Sequence, residues 1–165
     1  MANSTLSQRL RSNLYIGAYL AELSSILGRP VAKDELESMA ATQAVADAQK
    51  PLLAFEPVKF EIPFSQRSAK PVHDLIQTLS FANPAPLFLW ASHANDCGVL
   101  KLRSLADVRS DFAFDVNEGL ISLVTIDLCD QLMLDFYEEE GSQVLCLAVQ
   151  GTHWTAVARN RSLEI

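Results

Sequence analysis

The stretch LISLVTIDLCDQLMLDFYEEEGSQVLCLAV, residues 120–149, decides the fold. It holds three apolar runs, 120–126, 132–137 and 144–149, built from Leu, Ile, Val and aromatic residues. Asp127-Leu128-Cys129-Asp130 separates the first two, and Glu139-Glu140-Gly141-Ser142 separates the last two. Runs of this length bounded by Asp, Gly and Ser clusters read as strands. Links this short require antiparallel neighbours, because a parallel pair needs a long crossover. Working upstream, 87–90 and 99–102 read as two more strands, joined around Asn95, Asp96 and Gly98. The expectation is an α+β domain: an antiparallel β-meander of about five strands over residues 85–150, with N-terminal helices packed against one face.

The first 81 residues carry the helical period. Leu6, Leu10, Leu14, Leu20, Leu23 and Leu27 recur at helical spacing. Thr5 and Gln8 have the spacing of a capping box, and Gly28 and Pro30 stop the helix. A second helix is predicted to start at Asp34, with Glu37 three residues on, and to end before Pro51. Its stripe of Leu36, Met39, Ala40 and Val45 is weak, which puts it on the surface. Phe60, Ile62 and Phe64 alternate with Glu61 and Pro63, and Pro63 demotes that segment to an edge strand or extended arm. Val72, Leu75, Ile76 and Leu79 predict a short helix closed by Asn83-Pro84. Ser104 and Asp107 are spaced to cap a helical turn carrying Leu105, Val108 and Phe112. Residues 151–165 read as a C-terminal tail. With no repeat or long linker, 1–165 forms one domain.

The 165 residues suffice for one real core, and 49% hydrophobic with 20% charged residues is ordinary globular composition. Arg9 and Arg11 ahead of the apolar run 14–21 loosely imitate a signal peptide. The same segment carries helix start and stop signals, so a cytoplasmic protein is expected. No run has the length of a membrane span. Cys97, Cys129 and Cys146 are odd in number and widely spaced, which argues for reduced thiols.

Trp90-Ala-Ser-His93-Ala-Asn95-Asp96-Cys97-Gly98 is the most reactive-looking stretch. Cys97 could serve as a nucleophile, with His93 or His153 as base. The plain alternative is a hairpin turn, since Asn, Asp and Gly tolerate positive φ and a lone cysteine packs as a small apolar residue. Zinc would have to gather Cys97, Cys129, Cys146, His93 and His153, which lack the close pairing of structural zinc ligands. Asp111, Asp115, Asn117, Glu118 and Gly119 miss the oxygen spacing of a calcium loop. There is no glycine-rich phosphate loop, Gly-x-Ser-x-Gly elbow or His-Glu-x-x-His helix. Neither a metal nor a cofactor is expected, and no catalytic residue is assigned.

Charge carries more information. The formal net charge is −7. Residues 104–140 hold ten acids (Asp107, Asp111, Asp115, Glu118, Asp127, Asp130, Asp135, Glu138, Glu139 and Glu140) against Arg109 alone, so this stretch carries −9 and the remainder +2. Such a chain should not grip nucleic acid, whose phosphates need a basic surface. A basic protein is the natural partner. The contact set expected is Asp111, Asp115, Glu118, Asp127, Asp130, Tyr137, Glu138, Glu139 and Glu140, with the exposed side of the Phe60–Phe64 arm as a further apolar contribution. A solubilising sheet edge is the alternative.

A strand ending in Trp90, then Cys97-Gly98 and a Leu-x-Leu strand, then Leu134-Asp135-Phe136-Tyr137-Glu138-Glu139, Gly151 and Trp154, resembles immunity proteins of bacterial contact-dependent inhibition and related polymorphic toxin systems. The likeness covers the second half of the chain. It implies a small cytoplasmic protein that binds one cognate toxin domain, often a basic nuclease, and blocks it. The competing expectations are a small enzyme using His93, Cys97 and His153, and a regulatory module with an apolar cavity.

Overall fold

The computed structural model describes residues 6–109, 111 and 119–163. Its centre is a six-stranded, wholly antiparallel sheet in the order β1-β6-β5-β4-β2-β3. The strands are β1 (Val58–Pro63), β2 (Leu87–Trp90), β3 (Leu100–Leu102), β4 (Gly119–Thr125), β5 (Asp130–Glu139) and β6 (Ser142–Gly151). The sixth strand is β1, which lies outside the 85–150 span. Pro63 sits at its end and β1 is indeed an edge, where a missing N–H costs no ladder bond. β4, β5 and β6 form the expected meander. β3 departs from it, because β4 pairs with β2 and leaves β3 as the outer edge.

Register explains the core. Leu100, Leu89, Leu123, Leu132, Val149 and Val58 form one row across all six strands, and Ile121, Leu134, Leu147 and Phe60 form the next. Period-two alternation sends these side chains to one face. There they meet α1 (Leu6–Leu27) through Tyr19, Leu23, Ile26 and Leu27. α3 (Lys70–Ala82) adds Val72, Leu75 and Leu79, and α5 (Trp154–Arg159) adds Trp154 and Ala158. Each fully buried side chain of this size contributes about 1.5–3 kcal/mol. Val124, Cys146 and Ala148 point to the other face and are buried outside this cluster.

Three expectations need correction. The leucine stripe of α1 divides: Leu23 and Leu27 are buried, whereas Leu6, Leu10 and Leu14 are exposed. The second helix does not start at Asp34. The Glu35 carboxylate accepts from the Ala32 amide (2.9 Å) and from Arg29 (3.2 Å), closing only a 3₁₀ turn. Leu36 then bridges Leu100, and Glu37 N donates to Val99 O (2.8 Å), so the chain is extended there. Helix α2 (Met39–Ala48) begins anew under a Ser38 cap and lies on the surface with Thr42 as its buried residue. Finally, the C-terminal tail contains α5. The Ser104/Asp107 box caps the 3₁₀ turn Leu105–Asp107. Thr5 and Phe112 lie outside the described residues.

Residues 37–57 link the β3 edge to the β1 edge, five strand spacings or ~24 Å away. The anchor of this crossing is Gly98, at φ 104°. A Cβ there would sit 2.2 Å from the Glu37 carbonyl oxygen. Gly98 O also accepts from the buried Tyr19 hydroxyl (3.0 Å). Gly98→Ala should therefore lower stability by at least about 2 kcal/mol in urea unfolding. Gly17→Ala, mid-helix with nothing within 4 Å of the added carbon, should raise it by about 0.5–1 kcal/mol.

Candidate functional site

The connection between β2 and β3 is a helical turn, α4 (Ala94–Cys97), closed by Gly98. His93 precedes it and stacks on Tyr15, ring centroids 4.3 Å apart, with Tyr19 edge-on at 6.4 Å. Cys97 is buried, and its thiol lies 3.8 Å from the Ser12 carbonyl oxygen. These are packing contacts of α4 against α1. His153 is elsewhere. It follows β6, next to Asp130 at the start of β5, in the region of the sheet where Thr125 pairs with Leu87. His93 follows Trp90, at the other end of β2. The three side chains proposed for a nucleophilic site do not share one.

Asp130 makes four side-chain contacts, and its carboxylate is 0% exposed. Oδ1 accepts from the backbone amides of His153 and Trp154, both at 2.8 Å. Oδ2 lies 2.8 Å from His153 Nδ1 and accepts from Asn83 Nδ2 at 2.8 Å. One carboxylate thus caps the first turn of α5 and ties it to the end of α3. Gly151 makes room for this, since a Cβ there would meet Cys129 O at 2.2 Å and Asp130 Cα at 2.5 Å. Asp127 completes the cluster. It accepts from Thr125 Oγ1 (2.6 Å), Cys129 N (3.0 Å) and Asn83 Nδ2 (3.1 Å). Burial pushes its carboxyl up, but these hydrogen bonds outweigh it and hold it below the usual aspartate range.

The expected contact set therefore shrinks. Asp130 is sealed in the fold and cannot meet a partner, whereas Asp127 is hydrogen-bonded within its turn and stays exposed. Asp111 forms a two-pronged pair with Arg109, one prong at 2.7 Å. Asp115 and Glu118 lie outside the described residues. A further exposed group lies at the far end of the β5–β6 ribbon. Glu138, Glu139 and Glu140 are exposed there around a two-residue turn, with Glu140 at φ 50° and Gly141 at φ 80°. Tyr137 is half-buried, and its hydroxyl donates to Glu61 on β1 (3.4 Å). Asp135, Tyr137 and Leu120 share the outer face of the sheet, and Leu120 is 52% exposed. The Phe60–Phe64 segment offers no apolar face to solvent. Phe60 and Ile62 turn into the core, Phe64 packs on Phe136 at 5.9 Å, and Lys59 and Glu61 point outward.

A cavity of about 440 Å³ escaped the sequence reading. It runs beneath α3, between that helix and the Leu105–Asp107 turn, over a floor of Leu123, Leu132, Leu134, Leu145 and Leu147. Arg67, His73, Arg109 and Asp111 stand at its polar side. The alternation of leucines in β4 to β6 identifies the residues beneath it, while the α3 and 3₁₀-turn side chains that close it come from distant parts of the chain. Among the described residues, no three His, Cys, Asp or Glu side chains are placed to hold a metal ion, and no helix is long and apolar enough to cross a membrane. Comparison of the chain with family models, curated proteins and solved structures gives no match.

Two outcomes test this geometry. Asp130→Ala, which strands three donors and a histidine, should cost about 3–5 kcal/mol in urea unfolding. Loss of α5 amide protection in hydrogen exchange should accompany it. Burial pushes the Cys97, Cys129 and Cys146 thiols above the ordinary cysteine range, and for Cys129 the Asp127 and Asp130 carboxylates add to it. Alkylation of the native protein should thus be slow at neutral pH and rise only above pH ~8.5. Rapid labelling of Cys129 at neutral pH would contradict that.

Proposed function

We propose that this protein is a cytoplasmic immunity protein that binds and neutralises a basic toxin domain, such as a nuclease. The observation that supports the reading best is the exposed run Glu138, Glu139 and Glu140 at the tip of a rigid two-stranded ribbon, with Asp135 and Glu61 on the adjoining surface. A nuclease cleft is basic because it holds phosphates, so a projecting acidic tip can enter it or dock beside it. Held on paired strands, the charges lose little conformational entropy on binding. Leu120 and Tyr137, beside Asp135, supply the apolar centre that affinity requires. The residues that resemble the immunity families serve the fold: Gly98 admits Glu37, Gly151 admits Asp130, and Trp154 is fully buried.

The test is co-purification with the product of the neighbouring reading frame, followed by association kinetics. Joint reversal of Glu138, Glu139 and Glu140 to lysine should slow association about ten- to a hundredfold at low ionic strength. The effect should fade as salt screens it. An unchanged rate, or an interface mapped wholly to α1 and α2, would sink the proposal. The ligand-binding reading also has a specific observation in its favour, the cavity beneath α3.

A further inference from the structure

Helix α1 is apolar on two sides. Tyr19, Leu23, Ile26 and Leu27 face the core. Leu6, Leu10 and Leu14 lie on the other side, 75%, 61% and 72% exposed. At 3.6 residues per turn, Leu6, Gly17, Leu10, Ala21, Leu14 and Ser25 follow one another around an arc of about 100°. All six are exposed. Arg9, Arg11 and Glu22, the charged residues of this helix, all fall outside the arc. A helix that meets water keeps charge on its outward face, and one that is apolar all round is buried against something. The helix cannot turn this face inward, because its opposite side is fastened to α4. Arg11 pairs with Asp96 (3.0 Å), the Cys97 thiol lies 3.8 Å from Ser12 O, and Tyr15 stacks on His93. The five residues ahead of the helix, Met1-Ala2-Asn3-Ser4-Thr5, bring a single large apolar side chain to a face ~28 Å long.

The face is complementary to itself. Its first half carries the three leucines, and its second half carries Gly17, Ala21 and Ser25. Two antiparallel copies related by a twofold axis between residues 15 and 16 set Leu14 of each over Gly17 of the other. The same operation sets Leu10 over Ala21 and Leu6 over Ser25. Large side chains thereby enter the gaps left by small ones, and each copy contributes the same patch. Gly17 also finds a reason. A glycine weakens the middle of a helix, and a Cβ there would meet nothing within 4 Å in its own chain. A second helix approaching to ~8–10 Å between axes uses that space. Charge sets the direction. Arg9 and Arg11 lie in the first half of the face and Glu22 in the second. Antiparallel copies bring unlike charges to the same height, whereas parallel copies would bring like charges together.

We propose that this face of α1 binds a second copy of the chain in an antiparallel two-helix contact, the leucines of each copy seated on Gly17, Ala21 and Ser25 of the other. A contact ~28 Å long and one helix wide is smaller than the ~800 Å² per partner of a standard interface, so the dimer is reversible and of micromolar affinity. It uses no residue of the acidic ribbon tip, so either reading can fail without the other.

Sedimentation velocity of the full chain tests this. The average mass should rise from that of one chain toward twice that value between about 1 and about 200 µM, as micromolar affinity requires. Leu10→Glu and Leu14→Glu, each of which sets a charge into the contact, should weaken association at least about a hundredfold. The circular dichroism of the monomer should stay unchanged. Gly17→Leu, which closes the gap that receives Leu14, should weaken association at least about tenfold, and it decides should a glutamate variant not fold. Oxidative cross-linking reads the direction. Leu10→Cys chains mixed with Ala21→Cys chains should form the mixed disulfide dimer, because the contact brings those positions within disulfide reach. Neither variant alone should cross-link. A species of one-chain mass throughout, up to about 200 µM, would overturn the proposal. So would a dimer unaffected by Leu10→Glu and Gly17→Leu, or self-linking of Leu10→Cys chains, which marks a parallel pair. Binding to phosphatidylcholine vesicles that Leu10→Glu abolishes, with no dimer in solution, would overturn it in favour of a lipid surface.

Discussion

The buried carboxylate of Asp130 is the constraint on which the rest of this structure depends. A charge removed from water costs several kcal/mol unless donors replace its hydration. Here the donors are the amides of His153 and Trp154 and the side chain of Asn83, with the His153 ring alongside. They come from the ends of two helices that have no sequence proximity. Once Asp130 is satisfied, α5 must start beside β5 and α3 must end there. Trp154 is then carried into the core, where it is fully buried.

That hub fixes one end of the sheet, and the Gly98 contact with Glu37 fixes the other. Between them the leucine rows set register, because a slip of one residue would turn every inner leucine to the opposite face. Two close backbone approaches and one alternating pattern therefore determine which helix covers which strand.

Much of this was legible in the residues. The β4–β5–β6 ribbon followed from two short polar links, and α1 from leucine spacing with Gly28 and Pro30 behind it. What escaped was non-local. Nothing near Asp34 announces that Leu36 will pair with Leu100, which breaks the predicted helix in two. Nothing in Leu6, Leu10 and Leu14 distinguishes them from Leu23 and Leu27, since α1 simply runs past the core. Asp130 looked like its acidic neighbours because sequence reports charge and not burial. Its one clue was position: an acid at the first residue of a strand, with Gly151 directly opposite in register.

The acidic segment thus holds two populations under one net charge. Asp127 and Asp130 satisfy hydrogen bonds of the fold, and the charge of Asp111 is paired with Arg109. Glu138, Glu139 and Glu140 are spent on nothing within the chain's own core, and a β-turn with two positive-φ residues holds them outward. A field that steers a partner comes from uncompensated charge at the surface. For the proposed role, the charge at the ribbon tip would then matter more than the −9 of residues 104–140 taken as a whole. In the proposed toxin-binding role, a tip of that kind would discriminate by geometry, because a partner would have to bring its basic groups to one end of β5 and not merely be basic overall.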